Sequence, residues 1–263
     1  MQIYPLDFPI QADHLEKYPK FFCLICGQDS QLVINNPDNL REDCLCQYCY
    51  STNRQRQMAY LFLQSIFGYP SINESINNLS DIDQNIHNTE SSGALHQYLK
   101  INCQNYSCSE YFGSQYQSGE MVNGVMHQDL MNISFSANSL DYLLSSDVFE
   151  HIPDPYQAFK EIHRVLRPGG KHIFTVPFHQ TLFEDDIRAK IENGQIIHLH
   201  DPIYHGDPVR PEGILVYTIF SLEMLVKLSR LGFVTKMHRL YAPQFGIWGD
   251  NAVIFESIKN NSL

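Results

Sequence analysis

The chain has 263 residues, of which 43% are hydrophobic and 18% charged, with a formal net charge of -11. This length suits one α/β domain with a large buried core and a small additional module better than two full domains. The acidic balance argues against a nucleic-acid partner, because binding along a phosphate backbone depends on clustered Lys and Arg.

Hydrophobic patterning and cysteine usage indicate the compartment. No stretch approaches the ~20 apolar residues that span a bilayer, and the first residues lack the basic and then apolar order of a signal peptide. We therefore expect a cytoplasmic protein without a membrane span. The seven cysteines are an odd number concentrated toward the amino terminus, which favours metal ligands or thiols over a disulfide framework. No pattern indicates an oligomeric state.

Two C-x-x-C pairs stand near the amino terminus. Cys23 and Cys26 form the first, and Cys46 and Cys49 form the second. Four thiolates at this spacing can hold one Zn²⁺ tetrahedrally, which leaves no position for water and is typical of a structural site. Cys44 is a fifth candidate that would replace Cys46, although the tighter pair is the preferred prediction. The alternative is a set of buried or redox-active thiols without metal.

A helix is predicted directly after the second cysteine pair. Ser51 or Thr52 is expected to cap it, and the segment from Gln57 to Phe67 carries apolar residues at helical spacing. Arg54 and Arg56 at its start would either contact an anionic group or lie in solvent. This helix would connect a zinc-ribbon-like module, residues 1–75, to a main domain at residues 76–263.

The stretch from residue 140 to residue 178 predicts a strand, a turn, a helix and a second strand. Leu140 to Leu144 has the length of a buried strand, Asp154 can cap the helix, and Pro168-Gly169-Gly170 is expected to stop it. The second strand runs from His172 to Val176. Two buried strands joined by a helix form a parallel βαβ unit, in which ligands sit beyond the carboxyl ends of the strands.

That rule places Ser145, Ser146, Asp147 and His151 at the expected rim of a site. The run DVFEHIPDPYQAFKEIHRVLRPGG, with FTVP after it, resembles class I S-adenosylmethionine-dependent methyltransferases of the type 11 group. The resemblance is specific because the acidic turn, the EH pair, the helix and the glycine turn occur together and in order. It implies an α/β fold with a Rossmann-like, doubly wound, mostly parallel sheet and a C-terminal antiparallel hairpin.

The resemblance also implies a set of cofactor residues at successive strand ends. Of the family's G-x-G-x-G loop only Gly93 survives, in a turn that would receive the methionine end of S-adenosylmethionine. An acidic residue after the second strand would accept both ribose hydroxyls, and an Asp-Leu pair after the third would meet the adenine edge. The implied cofactor-binding residues are Glu90, Ser91, Ser92, Gly93, Glu110, Asp129, Leu130, Ser146 and Asp147.

The segment near 179–214 is rich in His, Asp and Tyr and is predicted to be an insertion that carries substrate-covering loops. Its side chains would supply a general base or ligate a metal, and the alternative is a loop braced by its own hydrogen bonds. The catalytic candidates are His151, His200 and His205. For His151 the alternative is an exposed histidine at the start of a helix, without a catalytic role.

These patterns lead to a methyltransferase that uses S-adenosylmethionine, carries a structural Zn²⁺, and acts on a small polar molecule such as a sugar or another hydroxyl compound. The missing glycines leave open a catalytically silent methyltransferase-like binding module. A zinc-ribbon RNA methyltransferase is the third hypothesis, against which the acidic balance counts.

Overall fold

The computed structural model describes residues 20–68, 74–206, 213–248 and 253–260. Residues 1–19 and 69–73 of the predicted amino-terminal module lie outside these ranges, as do residues 207–212 of the predicted insertion. The chain divides into two compact units: unit 1 comprises residues 1–108 and 237–256, and unit 2 comprises residues 109–236 and 257–263. The domain boundary near residue 75 stays a prediction.

Strands outnumber helices in the part of the chain that the structure describes. The strands are β1 Lys20–Phe22, β2 Asp29–Ile34, β3 Cys44–Cys46, β4 Ile86–Asn88, β5 Tyr106–Glu110, β6 Met121–Val122, β7 Val125–His127, β8 Leu140–Ser146, β9 Leu166–Thr175, β10 Asp186–Ile187, β11 Ala189–Glu192, β12 Gln195–His198, β13 Tyr204–His205, β14 Ile214–Leu215, β15 Thr218–Ile219, β16 Phe233–Arg239 and β17 Val253–Lys259. The helices are α1 Leu40–Asp43, α2 Asn53–Phe67, α3 Gly93–Asn102, α4 Pro155–Val165 and α5 Leu222–Arg230. In the described ranges, no helix has the length and apolar character needed to cross a bilayer.

The main sheet contains eight strands of the described chain, in the order β16-β17-β9-β8-β4-β5-β7-β6. Strand β4 pairs in parallel with β5, β5 with β7, and β8 with β9, whereas β6 and β7 are antiparallel. The three strands β1, β2 and β3 form a separate antiparallel sheet. The fold is therefore α/β with a mixed, mostly parallel main sheet, which confirms the predicted fold class.

Helix α2 of unit 1 begins with a capping box. The Thr52 side chain accepts a hydrogen bond from the backbone N–H of Gln55 at 3.2 Å, and the Gln55 side chain accepts one from the backbone N–H of Thr52 at 3.3 Å. Two N–H groups that the first turn cannot satisfy internally are thereby paired. Of the two predicted caps, Thr52 is confirmed.

Arg56 is fully buried on α2. Its guanidinium donates to the carbonyl oxygens of Gly246, at 2.8 and 3.0 Å, and of Cys44, at 2.9 Å. It also donates to the carbonyl oxygen of Ser51, and it lies 5.0 Å from the centre of the Phe21 ring. Both predictions for Arg56, contact with an anionic group and a position in solvent, are wrong, because backbone carbonyls inside unit 1 satisfy the charge.

Asn53 fastens the start of the same helix to the segment that follows β16. Its side-chain amide donates to the carbonyl oxygen of Trp248 at 2.9 Å and accepts from the Trp248 backbone N–H at 3.2 Å. Both side chains are fully buried. The paired bonds fix the backbone at Trp248 while the indole ring fills the interior of unit 1.

The βαβ unit predicted at the centre of the chain is present in unit 2. Asp154 caps α4 by accepting from the backbone N–H of Gln157 at 3.0 Å, and Pro155 occupies the first helical position. Burial of each large apolar side chain on the inner face contributes roughly 1.5–3 kcal/mol to the stability of the fold. That face consists of Pro155, Ala158, Phe159, Ile162 and Val165.

The ends of these elements differ from the prediction. Strand β8 continues past Leu144 to Ser146, and α4 ends at Val165 instead of at residues 168–170. Leu166 already has an extended backbone and pairs with Leu140, so the strand begins before the glycines. A Cβ on Gly170 would lie 2.9 Å from the carbonyl oxygen of Arg167. The glycine turn is therefore an irregularity inside β9, where only glycine fits.

Paired strands occupy the predicted insertion and the residues directly after it. Strands β10 and β15, β11 and β12, and β13 and β14 form three antiparallel pairs. Between β11 and β12, Asn193 and Gly194 both have positive φ, 52° and 76°. An Asn-Gly pair of this kind forms the tight hairpin turn whose twist matches the flanking strands. The sequence signal for this hairpin was present and was overlooked.

Replacing Arg56 by Met should destabilise unit 1 strongly. The change leaves three buried carbonyl groups without their charged donor, and each such loss costs about 1–3 kcal/mol, so we expect a decrease of about 3 kcal/mol or more in the free energy of unfolding. Urea denaturation measures this value. As a control, Arg167→Met removes a pair with Asp141 on a side chain that is 44% exposed, and should cost less than about 1 kcal/mol. Equal losses in the two variants would contradict the structural role of Arg56.

Candidate functional site

Four cysteine thiols meet in unit 1. The sulfur atoms of Cys23, Cys26, Cys46 and Cys49 all lie within 4.8 Å of one another. The Cys23 and Cys49 sulfurs are 3.7 Å apart, and those of Cys26 and Cys46 are 3.8 Å apart. Zinc–sulfur bonds of about 2.3 Å in a tetrahedron place the sulfurs about 3.8 Å apart. The cluster therefore has the dimensions of a four-thiolate zinc site.

Both C-x-x-C segments adopt the same turn. The backbone N–H of Gly27 donates to the carbonyl oxygen of Cys23 at 2.8 Å, and that of Tyr50 donates to Cys46 at 2.9 Å. Gly27 and Tyr50 have similar positive φ values, 69° and 58°. A positive φ is strained for a bulky residue such as Tyr50, so the turn there is maintained by its surroundings. The repeated turn directs two thiols from each segment toward one point.

Cys44 is not part of this group. It is buried, its sulfur lies 3.9 Å from a guanidinium nitrogen of Arg56, and burial raises the pKa of its thiol. In the cluster, hydrogen bonds among the thiols lower the pKa values of Cys23 and Cys46 and raise those of Cys26 and Cys49. Two of the four thiols are thus held toward the thiolate form that binds metal. Of the two alternatives, the structure brings Cys46 and not Cys44 to the other three cysteines.

The turn between β4 and α3, also in unit 1, carries the residues predicted for the methionine end of the cofactor. Gly93 has a φ of +81°, and a Cβ there would lie 2.7 Å from the side-chain nitrogen of Gln55. A carboxylate oxygen of Glu90 lies 3.8 Å from Arg54, which also pairs with Glu42 at 2.7 Å. Arg54 thus contacts anionic groups of the protein itself. Position 93 requires a glycine because its φ is positive.

Ser92 is the N-cap residue of α3, and its side chain makes no capping hydrogen bond. Ser91 is half-buried, whereas Ser92 and Gly93 are exposed. The N–H groups in the first turn of a helix attract anions such as a carboxylate. The cofactor role of these residues stays a prediction.

In unit 2, Glu110 and Asp129 follow adjacent strands. The backbone N–H of Gln128 donates to the carbonyl oxygen of Glu110 at 3.0 Å, which extends the parallel pairing of β5 and β7. The Asp129 backbone N–H donates to the Ser118 hydroxyl at 2.8 Å, and its carboxylate accepts from the Met131 N–H at 2.9 Å. These bonds bring the two predicted carboxylate positions to the same end of neighbouring strands. The adjacent Leu130 is buried.

Asp147 has a left-handed backbone, with a φ of 50°, directly after β8. Its N–H donates to the carbonyl oxygen of Thr175 at 3.1 Å and to the Thr175 hydroxyl at 3.2 Å. Ser146 is buried in the strand, with its hydroxyl 3.4 Å from that of Thr175. Strained backbone of this kind concentrates at functional sites, where the surrounding structure maintains it.

Ser145 points into the interior instead of lying at the rim, so its predicted position is wrong. Its hydroxyl lies 2.7 Å from Nε2 of His172, and both side chains are fully buried. The His172 ring stacks on Phe174 with the ring centres 4.4 Å apart. Burial lowers the pKa of His172 to about 3, because an apolar environment disfavours the imidazolium.

A carboxylate and two imidazoles meet at the short 3-10 turn Phe149–His151 of unit 2. Glu150 is fully buried, and its Oε1 lies 3.7 Å from Nε2 of His151 and 3.5 Å from Nδ1 of His205. The two rings meet edge to face, with centres 5.1 Å apart. The structure therefore brings together two of the three predicted catalytic histidines, with a carboxylate that the sequence reasoning did not select. Its sequence signal was its position beside His151 in the EH pair.

His200, the third predicted catalytic residue, does not belong to this group. Its side chain is 53% exposed, and its Nε2 lies 3.5 Å from a carboxylate oxygen of Asp186. The backbone N–H of His200 lies 3.3 Å from the carbonyl oxygen of Arg188. The predicted catalytic role of His200 stays a prediction.

Residues 91–174 match a family model described as a methyltransferase domain. The chain is 46% identical over 46 residues to demethylmenaquinone methyltransferase of Staphylococcus epidermidis, a segment that covers 18% of this chain and 19% of that protein. It is 42% identical over 48 residues to phosphoethanolamine N-methyltransferase 2 of Caenorhabditis elegans, covering 18% and 11%. The chain thus spans about a fifth or less of the length of these curated relatives.

Among solved structures, the chain is similar to an S-adenosylmethionine-dependent methyltransferase from Methanosarcina mazei. The identity is 18%, the TM-score is 0.42, and the match covers 71% of this chain and 97% of the other. The family match, which begins in the turn before α3 and ends in β9, covers the βαβ unit described above. Residues 91–174 are therefore similar to a methyltransferase domain.

Acid should destabilise the protein through His172. Its pKa is about 3 in the folded state and about 6.5 when unfolded, so the unfolded chain binds a proton first as the pH falls. The free energy of unfolding should therefore decrease by roughly 1.4 kcal/mol per pH unit for this group between about pH 6 and pH 4. Urea denaturation across that range should show that His172→Gln removes this part of the slope. The control His198→Gln, at an exposed residue, should leave the slope unchanged.

Proposed function

We propose that the chain transfers a methyl group from S-adenosylmethionine to a small polar acceptor, such as a sugar or another hydroxyl compound. The observation that carries the proposal is the match of residues 91–174 to a methyltransferase domain. The mixed, mostly parallel sheet supports it, because such sheets bind ligands beyond the carboxyl ends of their strands. The methyl group of a sulfonium is already activated, so the protein mainly has to align donor and acceptor.

Within unit 2, the proposal assigns the nucleoside part of the cofactor to residues at the strand ends. Glu110 would accept hydrogen bonds from the two ribose hydroxyls, while Asp129 and Leu130 would meet the adenine edge. Ser146 and Asp147 would lie beside the donor. The support is the adjacency of the Glu110 and Asp129 segments and the left-handed backbone of Asp147.

Within unit 1, the proposal assigns the methionine end of the cofactor to Glu90, Ser91, Ser92 and Gly93. The support is local: these residues form the turn into α3, and its first N–H groups would favour the cofactor carboxylate. Only Gly93 has the backbone freedom that the family's glycines supply.

A hydroxyl acceptor must lose a proton during transfer, and the proposal assigns that step to the side chains around the turn Phe149–His151. His151 and His205 are the nearest candidates because both face Glu150. His200 is a separate candidate beside Asp186. The net charge of -11 supports a small acceptor over a nucleic acid.

We also propose that Cys23, Cys26, Cys46 and Cys49 bind one structural Zn²⁺. The support is the pair of sulfur separations near 3.8 Å and the matching turns of the two segments. Four protein ligands would close the coordination sphere, so the ion would stabilise unit 1 without taking part in methyl transfer.

Replacing Glu110 by Gln should weaken S-adenosylmethionine binding at least about tenfold, because the neutral amide accepts only weakly from the two ribose hydroxyls. Isothermal titration calorimetry with purified protein measures the dissociation constant. The matched control is Glu120→Gln, at an exposed residue of unit 2, which should leave the constant unchanged.

Two results would contradict the proposal in different ways. Unchanged affinity in Glu110→Gln would show that the ribose site is placed wrongly. No saturable binding by the unaltered protein would support the silent binding module instead.

Replacing Cys46 by Ser should abolish zinc binding at the four-cysteine site, whereas Cys44→Ser should retain it. The two substitutions are chemically identical and both sites are fully buried, so they differ in whether the thiol belongs to the cluster. Cobalt titration of the metal-free protein measures the result, because thiolate ligands produce an intense charge-transfer band. Loss of the band in Cys44→Ser but not in Cys46→Ser would reverse the ligand assignment.

A further inference from the structure

The geometry points to a second metal site, for a divalent transition-metal ion, formed by Glu150, His151 and His205. We call these three residues the Glu-His-His cluster. One ligand atom from each lies within 4.8 Å of the other two. The cluster lies wholly in unit 2 and uses no cysteine, so it is chemically distinct from the four thiols of unit 1.

The first argument is the burial of Glu150. Its side chain has 0% relative exposure, and neither carboxylate oxygen has a hydrogen-bond partner among the described residues. A buried carboxylate without hydrogen bonds is unfavourable unless a cation or a proton compensates its charge. The groups facing it are two imidazoles, which are themselves metal ligands.

The second argument is the spacing of the three ligand atoms. Oε1 of Glu150 lies 3.7 Å from Nε2 of His151 and 3.5 Å from Nδ1 of His205. These distances are long for N–H···O hydrogen bonds, which cluster near 2.7–3.2 Å. Two ligands on one zinc-like ion, each bonded at about 2.0–2.2 Å, lie about 3.3–3.6 Å apart. The 3.5 Å separation lies within this range and the 3.7 Å separation is 0.1 Å longer, so both are close to the spacing of ligands that share an ion.

The third argument is the tautomer of His151. Its Nδ1 lies 2.8 Å from the backbone carbonyl oxygen of Leu215. A carbonyl oxygen only accepts, so Nδ1 carries a hydrogen, and Nε2 is the ring nitrogen that faces Glu150. Metal-bound histidines are usually oriented in this way, by donation from the other ring nitrogen to a carbonyl or carboxylate.

Backbone pairing holds the three residues in place. His205 on β13 pairs with Ile214 on β14, and Leu215 of the same strand accepts from His151. The backbone N–H of Tyr217 donates to the carbonyl oxygen of Glu150 at 2.6 Å. The cluster is thus built on strands and a hydrogen-bonded turn, which position ligands better than a loop.

Two imidazoles and one carboxylate suit zinc, iron(II), cobalt or manganese, and three protein ligands leave coordination positions for water or a substrate oxygen. An ion there would polarise a hydroxyl and lower its pKa, so that the proton passes to water while His151 and His205 act as ligands. The base role proposed above for the two histidines applies to the protein without this ion. This role rests on the proposed methyl transfer to a hydroxyl, whereas the binding of the ion does not.

The test counts metal ions per chain. The full chain is stripped with a chelator, loaded with zinc, dialysed and analysed by inductively coupled plasma mass spectrometry. We expect two zinc ions in the unaltered protein, one in Glu150→Gln, one in His205→Asn and one in Cys46→Ser. The control His200→Asn, at an exposed histidine, should keep two. A single ion in the unaltered protein that is lost in Cys46→Ser, or two ions in Glu150→Gln, would overturn the proposal.

Cobalt loading of Cys46→Ser provides a second measurement. The remaining ion should give weak visible bands without thiolate charge transfer, and the bands should disappear when Glu150→Gln is added. Circular dichroism and urea denaturation verify that the variants fold, and His205→Asn, at a side chain that is 40% exposed, replaces Glu150→Gln if the buried change prevents folding. Two zinc ions without S-adenosylmethionine binding would support the metal site and refute only the proposed function.

Discussion

The parallel pairing of β8 with β9 is the constraint on which unit 2 depends. Its register places Ser146 opposite Thr175, and Thr175 then accepts the N–H of Asp147 through both its carbonyl and its hydroxyl oxygen. These bonds hold Asp147 in a left-handed conformation that redirects the chain into the turn Phe149–His151. The positions of Glu150 and His151 therefore follow from the way in which two buried strands end.

The central βαβ unit could be predicted from the sequence because its signals are local. The Asp154 cap, the apolar face of α4 and the β-branched run of β9 each lie within a few residues. The end of α4 could not be predicted from the sequence, because a Pro-Gly-Gly segment is compatible with both a turn and an irregular strand. Pairing of Leu166 with Leu140 decides between them, and that contact is distant in sequence.

In the candidate sites too, the features that local sequence encodes could be predicted, and those that depend on contacts between distant residues could not. The four cysteines could be selected because C-x-x-C spacing encodes the knuckle turn itself, whereas exclusion of Cys44 depends on its burial beside Arg56. His151 and His205 were both predicted, but their meeting depends on the two-residue strands β13 and β14, which are too short to leave a periodic pattern. Glu150 was not predicted, because the residues beside it in the sequence do not reveal that its side chain is buried.

The hydrogen bonds from Arg56 to Gly246 join residues that are 190 positions apart in the chain. Asn53 and Trp248, 195 positions apart, are joined in the same way. Contacts of such long sequence separation cost loop-closure entropy before they are made, which slows folding. During synthesis, the buried guanidinium of Arg56 cannot bond to the Gly246 carbonyl until residue 246 has been added to the chain. Unit 1 therefore cannot complete its interior before its second segment, residues 237–256, has been synthesised.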